Sequence, residues 1–152
     1  MKGQLIFFQE EKKATTILLS LREEYFNQML DGMKKYEYRT RYLKEESIAY
    51  IYISKTKKKI IAKIEFGVPI IGNAKDIATI AEKEQPGCYQ EMIDYMHNNI
   101  GYAIPVKKIT PIEEVSLEEL KNFFSDFVPP QSYYILDRKP ELLEFLNNRC
   151  EK

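Results

Sequence analysis

Three residues carry the chemistry to be explained. They are Lys34, Glu37 and Arg39, within the stretch "GMKKYEYRTR" at residues 32–41. Four cations, one carboxylate and two tyrosines are packed into those ten positions. Residues 37 and 39 stand at i and i+2, so on a strand their side chains share a face, roughly 7 Å apart. A carboxylate there holds the neighbouring guanidinium in position, and Lys34 approaches from the preceding turn. Such a cluster binds a phosphate through Arg and Lys and accepts a base amino group through Glu. The tyrosines supply flat faces on which a base stacks. The same residues also suit a plainer role, a salt-bridge ladder on a solvated strand.

The elements that must position these residues are legible on either side. "TTILLSL" (15–21) is β-rich and apolar and reads as a buried strand. "REEYFNQMLDG" places Phe26, Met29, Leu30 and Met33 on one helical face, with Glu23 and Glu24 in the first turn and Gly32 as the terminator. The period then changes to two over residues 36–41, with charged residues on one parity and Tyr36, Tyr38 and Tyr42 on the other. "SIAYIYIS" reads as a central strand and "KTKKK" as a hairpin turn. "IIAKIEFGV" follows as a strand with Ile60, Ala62, Ile64 and Phe66 facing inward.

Two helices come next, one capped by Asn73 and one carrying Tyr89, Met92, Ile93 and Met96 on one side, with Pro86-Gly87 as the turn between them. "GYAIPVKKITPIEEV" is a strand whose Pro105 marks an edge or a bulge. Ser116 and Glu119 have capping-box spacing, and Pro140 opens a last helix. In "PPQSYY" two prolines stiffen a loop that presents Gln131 and Ser132. Ser20, Ser54 and Lys55 lie at strand ends beside the basic sector, and Arg41 continues the charged parity. The expected fold class is α+β, a small twisted sheet or barrel with helices packed around it.

Composition narrows the function classes. The 152 residues suit a single domain, and 44% hydrophobic with 30% charged residues is ordinary for a soluble globular chain. No apolar run approaches the roughly 18 residues of a membrane span. The short patch in "MKGQLIFFQEEKK" lacks a signal-peptide core and cleavage site, so a cytoplasmic protein is expected. Cys88 and Cys150 are far apart, and His97, the one histidine, sits where a helix ends. No metal site and no cofactor is expected from them, and His97 reads as a helix-end residue. No Gly-rich phosphate loop is present. The net charge is zero, yet from Lys34 to Lys63 ten cations face three anions, a local excess of seven. That sector either attracts a polyanion or protects a strand edge.

The spacing Gly32-x-Lys34-x-x-Glu37-x-Arg39 resembles the G-x-K-x-x-E-x-R signature of the ASCH domain family. The blocks "ILLSL", "YIYIS", "IIAKIEF", "GYAIPV" and "PPQSY" resemble those of bacterial ASCH proteins in the same order, from Thr15 to Arg138. The resemblance implies one domain over 1–152 with a PUA-like β-barrel and helices packed around it. It further implies a cleft at the signature that binds RNA or a nucleotide. The expected ligand-binding residues are Lys34, Glu37, Arg39, Arg41, Ser54, Lys55, Gln131 and Ser132. Some small ASCH-like proteins are amidohydrolases with a K-x-x-T arrangement, and others are described as ribonucleases. Here Glu37 stands where that threonine would be, and a carboxylate beside Lys34 favours the protonated amine. Binding is therefore ranked above hydrolysis, with a protein-interaction or regulatory module as a third reading.

Overall fold

Alternating apolar positions at 17, 19 and 21 and the opposite parity at 18 give the first strand two buried faces, and the rest of the sheet follows from this. In a computed structural model describing residues 13–150, the chain forms seven strands and five α-helices. The amino-terminal apolar patch read above lies outside the described residues. In chain order the elements are β1 (Thr15–Leu21), α1 (Glu23–Leu30), β2 (Tyr36–Arg39), β3 (Ser47–Ile53), β4 (Lys59–Phe66) and β5 (Ile70–Gly72). Then come α2 (Ala74–Glu84), α3 (Tyr89–Met96), β6 (Gly101–Ser116), α4 (Leu117–Phe123), β7 (Tyr133–Ile135) and α5 (Pro140–Asn147).

The strand order is β2-β6-β4-β3-β1-β7, with β5 also paired to β6. Only β1 and β3 run parallel; every other pairing is antiparallel. The 16-residue β6 is the spine: its first half pairs with β2 and β5 and its second half with β4. The sheet curls into a half-barrel. Among the described residues no ladder joins the β2 edge to the β1–β7 edge, so the expected barrel is completed by side chains instead.

Each face of the curl has its own core. Ile17, Leu19, Ile51, Ile64 and Ile104 fill the inside, which α1 plugs with Phe26 and Met29. Leu18, Tyr50, Val115 and Leu120 pack outside with Leu142 and Leu146 of α5. A third cluster, built on Ile77, Met96 and Ala103, seats α2 and α3 against Tyr36 and Tyr38.

Several expectations are adjusted. Leu30 and Met33 share the predicted α1 face but are 53% and 69% exposed, because α1 stops at Leu30 and its last turn overhangs the core. Ile60 is buried as predicted but lies in the outer cluster, since a bulge between Ile60 and Ala62 reverses its side. The strand predicted over 36–41 ends at Arg39, and the chain bends away there. Pro105 lies at the last β2 pairing on β6, beside the irregularity at Glu65/Phe66. His97 adopts a left-handed conformation (φ 51°) as the C-cap of α3.

Caps fix the helices as the sequence indicates. Asn73 and Ser116 both form complete capping boxes, with Asp76 and Glu119. Replacing Asn73 by Ala removes a side-chain acceptor from the start of α2. It should lower unfolding stability by about 1 kcal/mol in denaturant titration.

Candidate functional site

Lys34 reaches its place through the end of α1. Gly32, at φ +80°, takes the left-handed position of a Schellman motif, with Met33 N–H donating to Gln28 C=O (3.0 Å) and Gly32 N–H to Met29 C=O (3.1 Å). Lys34 N–H also donates to Gln28 C=O (3.0 Å). This reversal folds Lys34 back over α1, so its Nζ lies 5.5 Å from the Tyr25 ring centroid and 4.7 Å from that of Tyr38. Among the described residues the ammonium has no carboxylate within ion-pair distance.

β2 then presents the signature pair on the inner face of the curl. Glu37 pairs with Ile104, a residue of the inner core, and is only 6% exposed. Its Oε2 accepts from Arg39 Nε at 2.7 Å. Arg39 is engaged on two further sides: its terminal nitrogens donate to Ser132 Oγ (3.1 Å) and to Ser20 C=O (3.1 Å). Ser20 N–H donates to Ser132 C=O (2.9 Å), and Ser20 Oγ donates to Pro130 C=O (2.5 Å). The guanidinium thus ties β2 to β1 and to the proline-stiffened loop before β7.

The other parity of β2 faces α2 and α3. Glu84 at the end of α2 accepts from Tyr38 Oη (2.6 Å) and from Lys35 N–H. Tyr95 Oη on α3 donates to Tyr38 C=O (3.4 Å). Between these walls lies a cavity of about 480 Å³, in the range of small-ligand sites.

Of the eight residues expected from the sequence, Lys34, Glu37, Arg39, Ser54, Lys55 and Gln131 line this cavity. Ser132 stands behind it, holding Arg39. Arg41 is exposed and does not line it, because the chain leaves the strand at Thr40. The sequence reading missed Arg22, Tyr25, Glu84, Cys88, Glu91 and Tyr95, which also line it. Only Tyr25 carried a signal, an aromatic placed off the apolar face of α1; Arg22 lies at the β1–α1 junction, and Glu84, Cys88, Glu91 and Tyr95 belong to the α2–α3 segment, which reaches the site through tertiary packing. Among the described residues no cluster of His, Cys, Asp and Glu is suited to hold a metal ion.

Burial decides the electrostatics of Lys34. Loss of solvent pushes its pKa below the ordinary lysine value, and the attraction of Glu37 and then Glu84 opposes this without reversing it. The expectation that Glu37 favours the protonated amine holds in direction, but desolvation outweighs it. Tyr38 is pushed up, first by burial and then by its hydrogen bond to Glu84, so its hydroxyl remains a donor.

No protein-family model matches the sequence, and no curated protein matches it either. Solved structures do. An ASCH structure from Zymomonas mobilis aligns with a TM-score of 0.70 at 22% identity, covering 86% of this chain and 94% of its own. A single-residue variant of that protein aligns with the same TM-score at 21% identity, over 86% of this chain and 96% of its own. The N-terminal domain of McrB from Staphylothermus marinus aligns at 0.52 and 11% identity, over 91% of this chain and 96% of its own. The fold is therefore α+β of the PUA-like kind. More particularly, it is the fold of ASCH domains, as the sequence resemblance implied. Among the described residues no helix is long and apolar enough to cross a membrane.

Arg39 and Lys34 should respond oppositely to mutation. Arg39→Ala leaves the Glu37 carboxylate buried without its cation, and should lower stability by about 3 kcal/mol in chemical denaturation. Lys34 has a folded-state pKa below its unfolded one, so the cost of its charge is fully present at low pH. That cost is relieved as pH rises from the folded pKa toward the ordinary lysine value. Lys34→Met should therefore melt no lower than the parent at neutral pH, and its advantage should shrink in alkali. A variant that melts several degrees lower at neutral pH would show that the cation stabilises the fold.

Proposed function

We propose that the protein is a binding module for single-stranded RNA or a nucleotide, with the ligand in the cavity at the Lys34–Glu37–Arg39 signature. The observation that carries this reading is Lys34 itself. The fold holds a desolvated cation between two tyrosine rings, in an open cavity beside a fixed carboxylate. Such a cation is poised for an anion from solvent, and the tyrosine faces suit a base. Glu37 uses one oxygen on Arg39, which leaves the other for a base amino group. Arg39, with three donors engaged, acts as a fixed positive wall and orients Glu37. The likeness of fold to ASCH structures supports the reading at the level of RNA binding.

A second reading, hydrolysis in the same cavity, has one observation in its favour. A lysine whose pKa is lowered by burial is better able to take a proton than an exposed one. Ser20, one of the hydroxyls lining the cavity, donates to Pro130 C=O, so its proton is directed to that carbonyl and not to Lys34.

The test is a titration of the purified chain with short single-stranded RNAs at several salt concentrations, with product analysis in parallel. Binding should weaken steeply with salt, and Lys34→Met should weaken it at least tenfold, the order of one charged hydrogen bond. Absence of binding at low salt would overturn the reading; cleavage that Lys34→Met abolishes would favour hydrolysis.

A further inference from the structure

Lys34 brings a primary amine to the wall of a cavity without tying it to an acid. The reversal after α1 holds its Nζ 5.5 Å from the Tyr25 ring centroid and 4.7 Å from that of Tyr38. Among the described residues no carboxylate stands within ion-pair distance of it. The nearby acids are engaged elsewhere. Glu37 Oε2 accepts from Arg39 Nε (2.7 Å), and Glu84 accepts from Tyr38 Oη (2.6 Å) and from Lys35 N–H. Burial, and then the bond to Glu84, keep the Tyr38 hydroxyl protonated, so no phenolate stands beside the amine.

These surroundings suit a nucleophile. Desolvation lowers the pKa of Lys34; Glu37 and Glu84 oppose this, Arg39 adds to it, and Cys88 opposes it weakly. A desolvated lysine beside a second cation is a setting in which lysines form imines with carbonyl compounds. A proton carrier is also at hand. The Glu37 oxygen that Arg39 leaves free accepts no hydrogen bond among the described residues. It still reaches accessible space, since every fully buried side-chain oxygen there has a partner. The cavity, about 480 Å³, holds a ring-sized molecule, and Leu21, Ala81 and Met92 give it apolar surface. Tyr25 and Tyr95, 40% and 47% exposed, add two flat faces to its lining.

We propose that Lys34 captures an aromatic aldehyde as an imine within this cavity. The Nζ lone pair attacks the carbonyl carbon, and the carbonyl π electrons move to oxygen. One amine proton passes to that oxygen and gives a carbinolamine. The C=N bond then forms as the hydroxyl departs with the second amine proton, as water. The overall change is amine plus aldehyde to imine plus water, with no oxidant or reductant. The free Glu37 oxygen carries protons from nitrogen to oxygen. This activity goes beyond the RNA-binding reading and does not depend on it.

The experiment treats the purified chain near neutral pH with benzaldehyde or acetaldehyde in the presence of cyanoborohydride, which reduces the imine to a stable secondary amine. Adducts are located by peptide mass mapping. Lys34 should be labelled severalfold faster than the exposed lysines, and its lead should be larger with benzaldehyde than with acetaldehyde. In urea the lead should vanish. Lys34→Arg keeps a cation over the two rings but cannot form the imine, so its intact-mass time course should lack the fast first adduct. Labelling of Lys34 no faster than that of exposed lysines overturns the proposal, and so does a fast first adduct that persists in Lys34→Arg. A lead that survives in urea removes the cavity from the explanation and overturns it as well. A lead no larger with benzaldehyde overturns the aromatic preference. No RNA is present, so failure here is separate from failure of the binding reading.

Discussion

The structure depends on a guanidinium that completes what the sheet leaves open. β7 is three residues long, and its register with β1 runs out at Leu19 and Tyr133. Ser20 still donates to Ser132 C=O, but its own carbonyl accepts from Arg39. Arg39 thus satisfies a strand carbonyl, a loop hydroxyl and a carboxylate from three separate parts of the chain. The planar fork of arginine suits this, whereas the ammonium of lysine offers no such geometry. Because the seam is joined by side chains, Arg39 and the Tyr42–Tyr133 contact among them, and not by a ladder, room remains beside it. The cavity exists because the half-barrel does not close.

The same arrangement places unfavourable and favourable electrostatics side by side. The Glu37–Arg39 pair loses solvent, yet the guanidinium donates to three oxygen acceptors, which keeps the desolvated charges hydrogen-bonded. Lys34 is desolvated too, but its neighbours among the described residues are rings and not an ion pair. One cation is committed to architecture and the other is left available.

What was legible in the sequence were relations within a few residues. The i, i+2 spacing placed Glu37 and Arg39 on one face, Gly32 marked the helix end, Asn73 caps its helix as read, and the capping box at Ser116 formed as its spacing required. The parity of β4 identified its four buried residues, although not that a bulge divides them between two cores. The apolar stripe of α1 misplaced Leu30 and Met33, since periodicity reports a face and not how far the core beneath it extends. Arg41 continued the alternation only on paper, because nothing in period two reveals where pairing stops. The α2–α3 wall was hidden for a different reason. Glu84 meets β2 across 49 and 46 residues of sequence, in its bonds to Lys35 and Tyr38, and no local pattern encodes such contacts.

The separations along the chain also bear on folding. β2 finds its ladder only on β6, with Glu37 opposite Ile104, and Arg39 reaches a serine 93 positions away. Contacts of that span close large loops and form slowly compared with hairpins such as β3–β4. On a growing chain, α1 and the first hairpin can assemble while the signature residues are still without partners. The cavity becomes complete only once the segment through Ser132 has been made and docked. A ligand held there binds the finished fold alone, so it protects the whole molecule from opening and offers nothing to its intermediates.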